Sequence, residues 1–69
     1  MSKYDPLWAY VKERDEYLLE LTFEEAEKVL GFPVKGSLLT NKAELLEYGY
    51  EVVKLMKSEQ VVIFRKLDT

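Results

Sequence analysis

Thr22-Phe23-Glu24-Glu25-Ala26-Glu27-Lys28-Val29-Leu30-Gly31 carries a helix with both of its ends marked. Thr22-x-x-Glu25 is a capping box: the Thr22 hydroxyl can accept from the Glu25 N–H, and the Glu25 carboxylate can reach back to the Thr22 N–H. Glu24, Glu25 and Glu27 complement the positive end of the helix dipole. Phe23, Ala26, Val29 and Leu30 recur at helical spacing and form one apolar face. Gly31 supplies the left-handed residue on which such a helix ends.

The flanking segments take their places from this helix. Immediately before it, Tyr17-Leu18-Leu19-Glu20-Leu21 reads as a short strand with Tyr17, Leu19 and Leu21 on one side. Before that, Asp5 is expected to cap a first helix with Pro6 at its first position, where the missing N–H costs nothing. Tyr4, Leu7, Trp8 and Val11 form its apolar face, and the pattern stops in Lys12-Glu13-Arg14-Asp15-Glu16. After Gly31, residues Phe32 to Thr40 read as a connection punctuated by Pro33 and Gly36, with Leu38 and Leu39 tucked under the core. Asn41-Lys42-Ala43-Glu44 opens a third helix that runs to about Tyr48 and ends at Gly49. Tyr50 to Met56 and Val61 to Lys66 are β-rich runs joined by Lys57-Ser58-Glu59-Gln60, a hairpin with a polar four-residue loop.

The order is α-β-α-α-β-β, and the fold class is α+β: a small antiparallel sheet packed on three helices. That is also the order of a winged helix-turn-helix, although other small α+β domains share it. At 69 residues, with no internal repeat or linker, residues 1–69 form a single domain. Hydrophobic residues at 48% and charged residues at 33% suit a globular chain that folds on its own. No apolar run reaches the roughly 18 residues of a membrane span, and the first residues lack a signal-peptide pattern. A cytoplasmic protein without a membrane role is expected.

With no cysteine and no histidine, thiolate chemistry, disulfides, the commonest general base and the commonest metal ligand are missing. Ser2, Ser37 and Ser58 have no histidine to activate them. Lys35-Gly36-Ser37 lacks the spacing of a phosphate loop. Glu24, Glu25 and Glu27, or Glu44 and Glu47, are the remaining candidates for a hard cation, which needs several oxygens at one point. Solvated helix faces account for them better. No enzyme, no cofactor, no metal and no small-molecule substrate is expected. Tyr4 and Trp8 read as core rather than a stacking platform, and Tyr10 as the most exposed aromatic.

Several blocks taken together resemble a small bacterial domain family of unknown function. They are Tyr4-Asp5-Pro6-Leu7, Leu21-Thr22-Phe23-Glu24-Glu25, Leu30-Gly31-Phe32-Pro33, Gly49-Tyr50-Glu51-Val52 and Val62-Ile63-Phe64-Arg65-Lys66. Members of that family carry a longer middle segment with an Ala-Arg stretch, paired Trp and an Asn. Here only Val34 to Thr40 stand in that place, without Arg or Trp. The resemblance brings no established chemistry and no site residue.

Two binding readings remain. In the last strand Val62 and Phe64 face one side of the sheet, so Val61 and Ile63 face the other, together with Leu18. Apolar residues on a face that should be polar mark a protein interface, with a partner or a second copy as in a homodimer. The alternative is that Leu67 or the Phe32–Leu39 connection folds over that face. The second reading is a winged helix on DNA, with Lys35, Asn41 and Lys42 at the third helix and Lys57 in the hairpin loop. Charge speaks against a strong version of it, because duplex affinity comes largely from neutralising phosphates. The net charge is −3, residues 1–31 carry four basic against eight acidic side chains, and residues 32–69 six against five.

Overall fold

The computed structural model describes residues 2–67. The chain runs through α1 (Asp5–Arg14), β1 (Leu18–Thr22), α2 (Phe23–Leu30), α3 (Ser37–Thr40), a 3-10 helix (Lys42–Tyr48), β2 (Tyr50–Met56) and β3 (Val61–Lys66). The expected α+β order holds, with its third helical unit split in two. The sheet is antiparallel, with strand order β1-β3-β2.

Helix α2 forms as its sequence dictates. Glu25 N–H donates to Thr22 Oγ1 (3.1 Å), and Thr22 N–H donates to Glu25 Oε1 (2.9 Å). Gly31 closes the helix at φ 85°, with its N–H on the Glu27 carbonyl (2.7 Å). Ala26 is buried, and Phe23, Val29 and Leu30 pack against the core.

Helix α1 begins one residue earlier in its cap frame than expected. Asp5 is the first helical residue, with Pro6 behind it, and the cap position belongs to Tyr4. Ser2 does the capping work instead: its Oγ accepts from Tyr4 N–H (3.1 Å) and its carbonyl from Asp5 N–H (3.2 Å). The physical reason is Tyr4, whose ring is fully buried and packs on Trp8 and Phe32. At the other end Asp15 adopts φ 51°, a left-handed conformation that Asp tolerates better than most residues. Its carboxylate pairs with Lys66, which holds it below the usual carboxylate range, and Tyr50 Oη donates to it at 3.4 Å. Tyr10 is half-buried, with its hydroxyl accepting from Arg14 (3.0 Å); Tyr17 is the more exposed aromatic, at 57%.

The third helical unit departs most from expectation. Ser37–Thr40 is already a turn of α-helix, which buries Leu38 but leaves Leu39 exposed. Asn41 does not cap the next helix, because its side-chain amide donates backward to the Ser37 carbonyl (2.8 Å). Lys42–Tyr48 then winds as a 3-10 helix, with a period of three that brings Leu45 into the core and Tyr48 against it. Gly49 ends it at φ 84°. Glu44 ties this segment to α1: its carboxylate accepts from Trp8 Nε1 (3.0 Å) and from the Ser2 hydroxyl. Both bonds hold its pKa below the usual range.

Strand β1 starts at Leu18, opposite Arg65. Tyr17 lies beyond the last paired row, joined to the sheet only by its carbonyl, which accepts from Lys66 N–H (2.7 Å). At 57% exposed it does not share the burial of Leu19 and Leu21. Across the sheet, Leu19 stands opposite Phe64 and Leu21 opposite Val62, and β2 sets Val52 opposite Phe64 and Leu55 opposite Val62. These residues meet Leu7, Trp8, Val11, Leu38 and Leu45 from the helices. Full burial of each large apolar side chain stabilises by about 1.5–3 kcal/mol, so this inner face carries the fold.

Candidate functional site

The same pairing that builds the inner face determines the outer one, because successive side chains on a strand point to opposite sides. Its rows run Leu18–Arg65–Glu51, then Glu20–Ile63–Lys54, then Thr22–Val61–Met56, from β1 through β3 to β2. Leu18, Val61 and Ile63 are thus brought together as expected. Leu18 is 59% exposed, while Val61 and Ile63 are half-buried between their neighbours.

A bulge between Val52 and Lys54 inserts Val53 as an extra residue in β2. Val53 is 44% exposed. This re-aims the strand so that Val52 stays inside while Lys54 comes to stand opposite Ile63 on the outer face. Arg65 and Glu51 pair across the first row, with Arg65 Nε donating to Glu51 Oε2 at 2.7 Å.

The Phe32–Leu39 connection does not lie over this face. Phe32 packs edge-on against Tyr4, Leu38 is in the core and the Tyr4 hydroxyl meets Ser37 Oγ, so the Phe32–Leu39 connection belongs to the helical side. Leu67 continues the β2–β3 pairing past Lys66, its N–H donating to the Gly49 carbonyl (2.9 Å), at the end of the sheet away from Ile63 and Val61.

The four residues considered for DNA are divided. Lys35 and Lys57 line one open concavity of about 500 Å³, with Phe23, Val34, Leu55 and Gln60 around them. Glu27 shares that concavity and accepts from the Val34 N–H (3.1 Å). Lys42 lines a different depression beside Leu46 and Glu51, at the edge of β2. Asn41 spends its amide on the Ser37 carbonyl.

The carboxylates have local duties. Glu25 is held low by the Thr22 N–H and hydroxyl, and Glu27 and Glu44 bond as described. Among the described residues no three acidic side chains converge as ligands for a metal ion. No helix among them is long and apolar enough to cross a membrane.

Glu20 and Lys54 join Leu18, Val61 and Ile63 on the outer face, as do Arg65, Glu51, Thr22 and Met56, none of which sequence reading had placed there. Alternation places Glu20 there from the sequence alone, but Lys54 arrives only through the bulge. Comparison with family models, curated proteins and solved structures finds no match for this chain.

Proposed function

We propose that this chain is a non-catalytic bacterial interaction domain of the cytoplasm that binds protein through the outer face of its sheet. The observation that carries this reading is the apolar group on this face formed by exposed Leu18 and half-buried Val61 and Ile63, continued by Met56. An antiparallel sheet with one face on a core normally turns polar residues outward. Here an apolar stripe crosses the outer face from Leu18 through Ile63 to Val61 and Met56, with Arg65, Glu51, Glu20 and Lys54 beside it. A hydrophobic centre with a polar rim is the anatomy of a protein interface.

The absence of cysteine from the chain gives a clean test. A photo-cross-linker attached at Leu18→Cys should yield a discrete protein adduct, whereas one at Lys12→Cys, exposed on α1, should yield none. Equal adducts from both positions, or none from Leu18→Cys, would contradict the reading.

DNA is the second reading, and one observation favours it: Lys35 and Lys57 share a concavity with Gln60 beside the β2–β3 loop. In a winged-helix arrangement this hairpin would touch the duplex backbone. Two lysines beside Glu27 offer little phosphate neutralisation, and Lys42 lies elsewhere. Salt-sensitive binding to a random duplex, lost in Lys35→Glu, would establish this reading; absence of binding at low salt would dismiss it.

A further inference from the structure

The charges that flank the apolar centre suggest what occupies it. Glu20 on β1 and Lys54 on β2 both stand opposite Ile63, one on each side of the central strand. Two strand spacings separate them, about 10 Å at the backbone, with Ile63 between. Among the described residues neither side chain forms an ion pair. The row therefore presents negative, apolar and positive in order across the face.

We infer that the occupant is a second copy of this chain, stacked sheet on sheet about a two-fold axis that runs along β3. This rests on the reading of the outer face as an association surface and names its partner. A two-fold along the central strand exchanges the outer strands, so β1 of one copy lies over β2 of the other. Glu20 then meets Lys54 of the second copy, and Lys54 meets its Glu20. Ile63 packs on Ile63 and Val61 on Val61 along the axis, Thr22 lies over Met56 of the second copy, and Leu18 extends over its Glu51 at the rim.

A two-fold across the strands would instead set Glu20 on Glu20 and Lys54 on Lys54, and is disfavoured by its charges. The axis along β3 also keeps the strands of the two copies nearly aligned, as face-to-face sheets about 10 Å apart prefer. At one end of the axis the two Arg65 side chains approach each other. Each is already paired with its own Glu51, and that end forms the wet rim.

A face of three short strands is smaller than a standard interface, so a weak, concentration-dependent dimer is expected. Sedimentation equilibrium from about 10 μM to about 1 mM spans the relevant affinities. The wild type should rise toward twice the monomer mass. Glu20→Lys alone and Lys54→Glu alone should each weaken association at least about 10-fold, because each sets like charges against each other at both rims. An equimolar mixture of the two variants should recover it, since every rim contact in the mixed dimer is again between opposite charges. Both positions are exposed, so neither variant threatens the fold, and circular dichroism checks that directly.

A wild type that stays monomeric at about 1 mM overturns the inference. So does association that the single variants leave unchanged, or that mixing does not restore. The cross-linker at Leu18→Cys separates the two levels of failure. An adduct to a different protein leaves the association reading standing without the second copy, and no adduct removes both.

Discussion

Phe64 and Ile63 are consecutive residues of one strand, similar in hydrophobicity and opposite in surroundings. Phe64 is fully buried between Leu19 and Val52, with the helices above it. Ile63 sits half-buried between Glu20 and Lys54 on the other side of the sheet. The inner residue is accounted for by folding alone. The outer one is accounted for only in part, since it is half-buried among its neighbours. The two faces of β3 thus separate the residues that form the core from those proposed for association.

The comparison is most easily broken from the inside. Phe64→Ala should cost about 3–5 kcal/mol, the usual range for emptying a buried aromatic site. A chain of this size has roughly 3–10 kcal/mol in total, so the variant should be largely unfolded by circular dichroism. A cooperative transition near that of the wild type would mean that the inner face is not the core.

Intermediate effects belong to the helix ends that hold the inner face together. Gly49→Ala forces a left-handed conformation at φ 84° on a residue with a Cβ. A loss of about 1–2 kcal/mol is expected in urea denaturation. Thr22→Ala removes a capping hydroxyl and should cost about 1 kcal/mol.

Glu25 adds a pH dependence to the same cap. Its folded pKa is depressed, so its contribution is present above the ordinary carboxylate range and is lost as the pH falls through the folded value. The stability gap between wild type and Glu25→Gln should therefore close on acidification. A gap that stays constant down to low pH would place the effect elsewhere.

The smallest change in folding should come from Ile63→Lys, within about 1 kcal/mol of the wild type, because the lysine stem can lie along the sheet with its ammonium in water. The same variant should abolish association. A large loss of stability would sharpen the opposite conclusion, that the outer face belongs to the monomer.

Legibility in the sequence followed the range of the interactions. The α2 capping box, the glycine ends at Gly31 and Gly49 and the polar hairpin loop are local, and each stands where the residues indicate. The assignment of Leu18, Val61 and Ile63 to one face followed from alternation against buried neighbours. The third helical unit was less readable, because its conformation depends on distant partners. Asn41 had the residue type of an N-cap but bonds backward to Ser37. Glu44 is drawn to Trp8 and Ser2, far away in the chain. The α1 start was misread for a similar reason, with Ser2 doing what Asp5 was expected to do. The bulge at Val53 leaves no mark in a run of good strand formers, and without it the Glu20–Ile63–Lys54 row cannot be written down. Lys35, Asn41, Lys42 and Lys57 looked equivalent as charges and polar groups along the chain, yet only Lys35 and Lys57 share a concavity.

Amide spectra of labelled protein, recorded on dilution and again with a short random duplex at low salt, test the outer face against the basic concavity in one sample. Dilution is predicted to shift the amides of Leu18, Glu20, Lys54, Val61 and Ile63, while duplex leaves the spectrum unchanged. A spectrum insensitive to dilution but shifted by duplex around Lys35, Lys57 and Gln60 would contradict the account and assign the domain to nucleic acid.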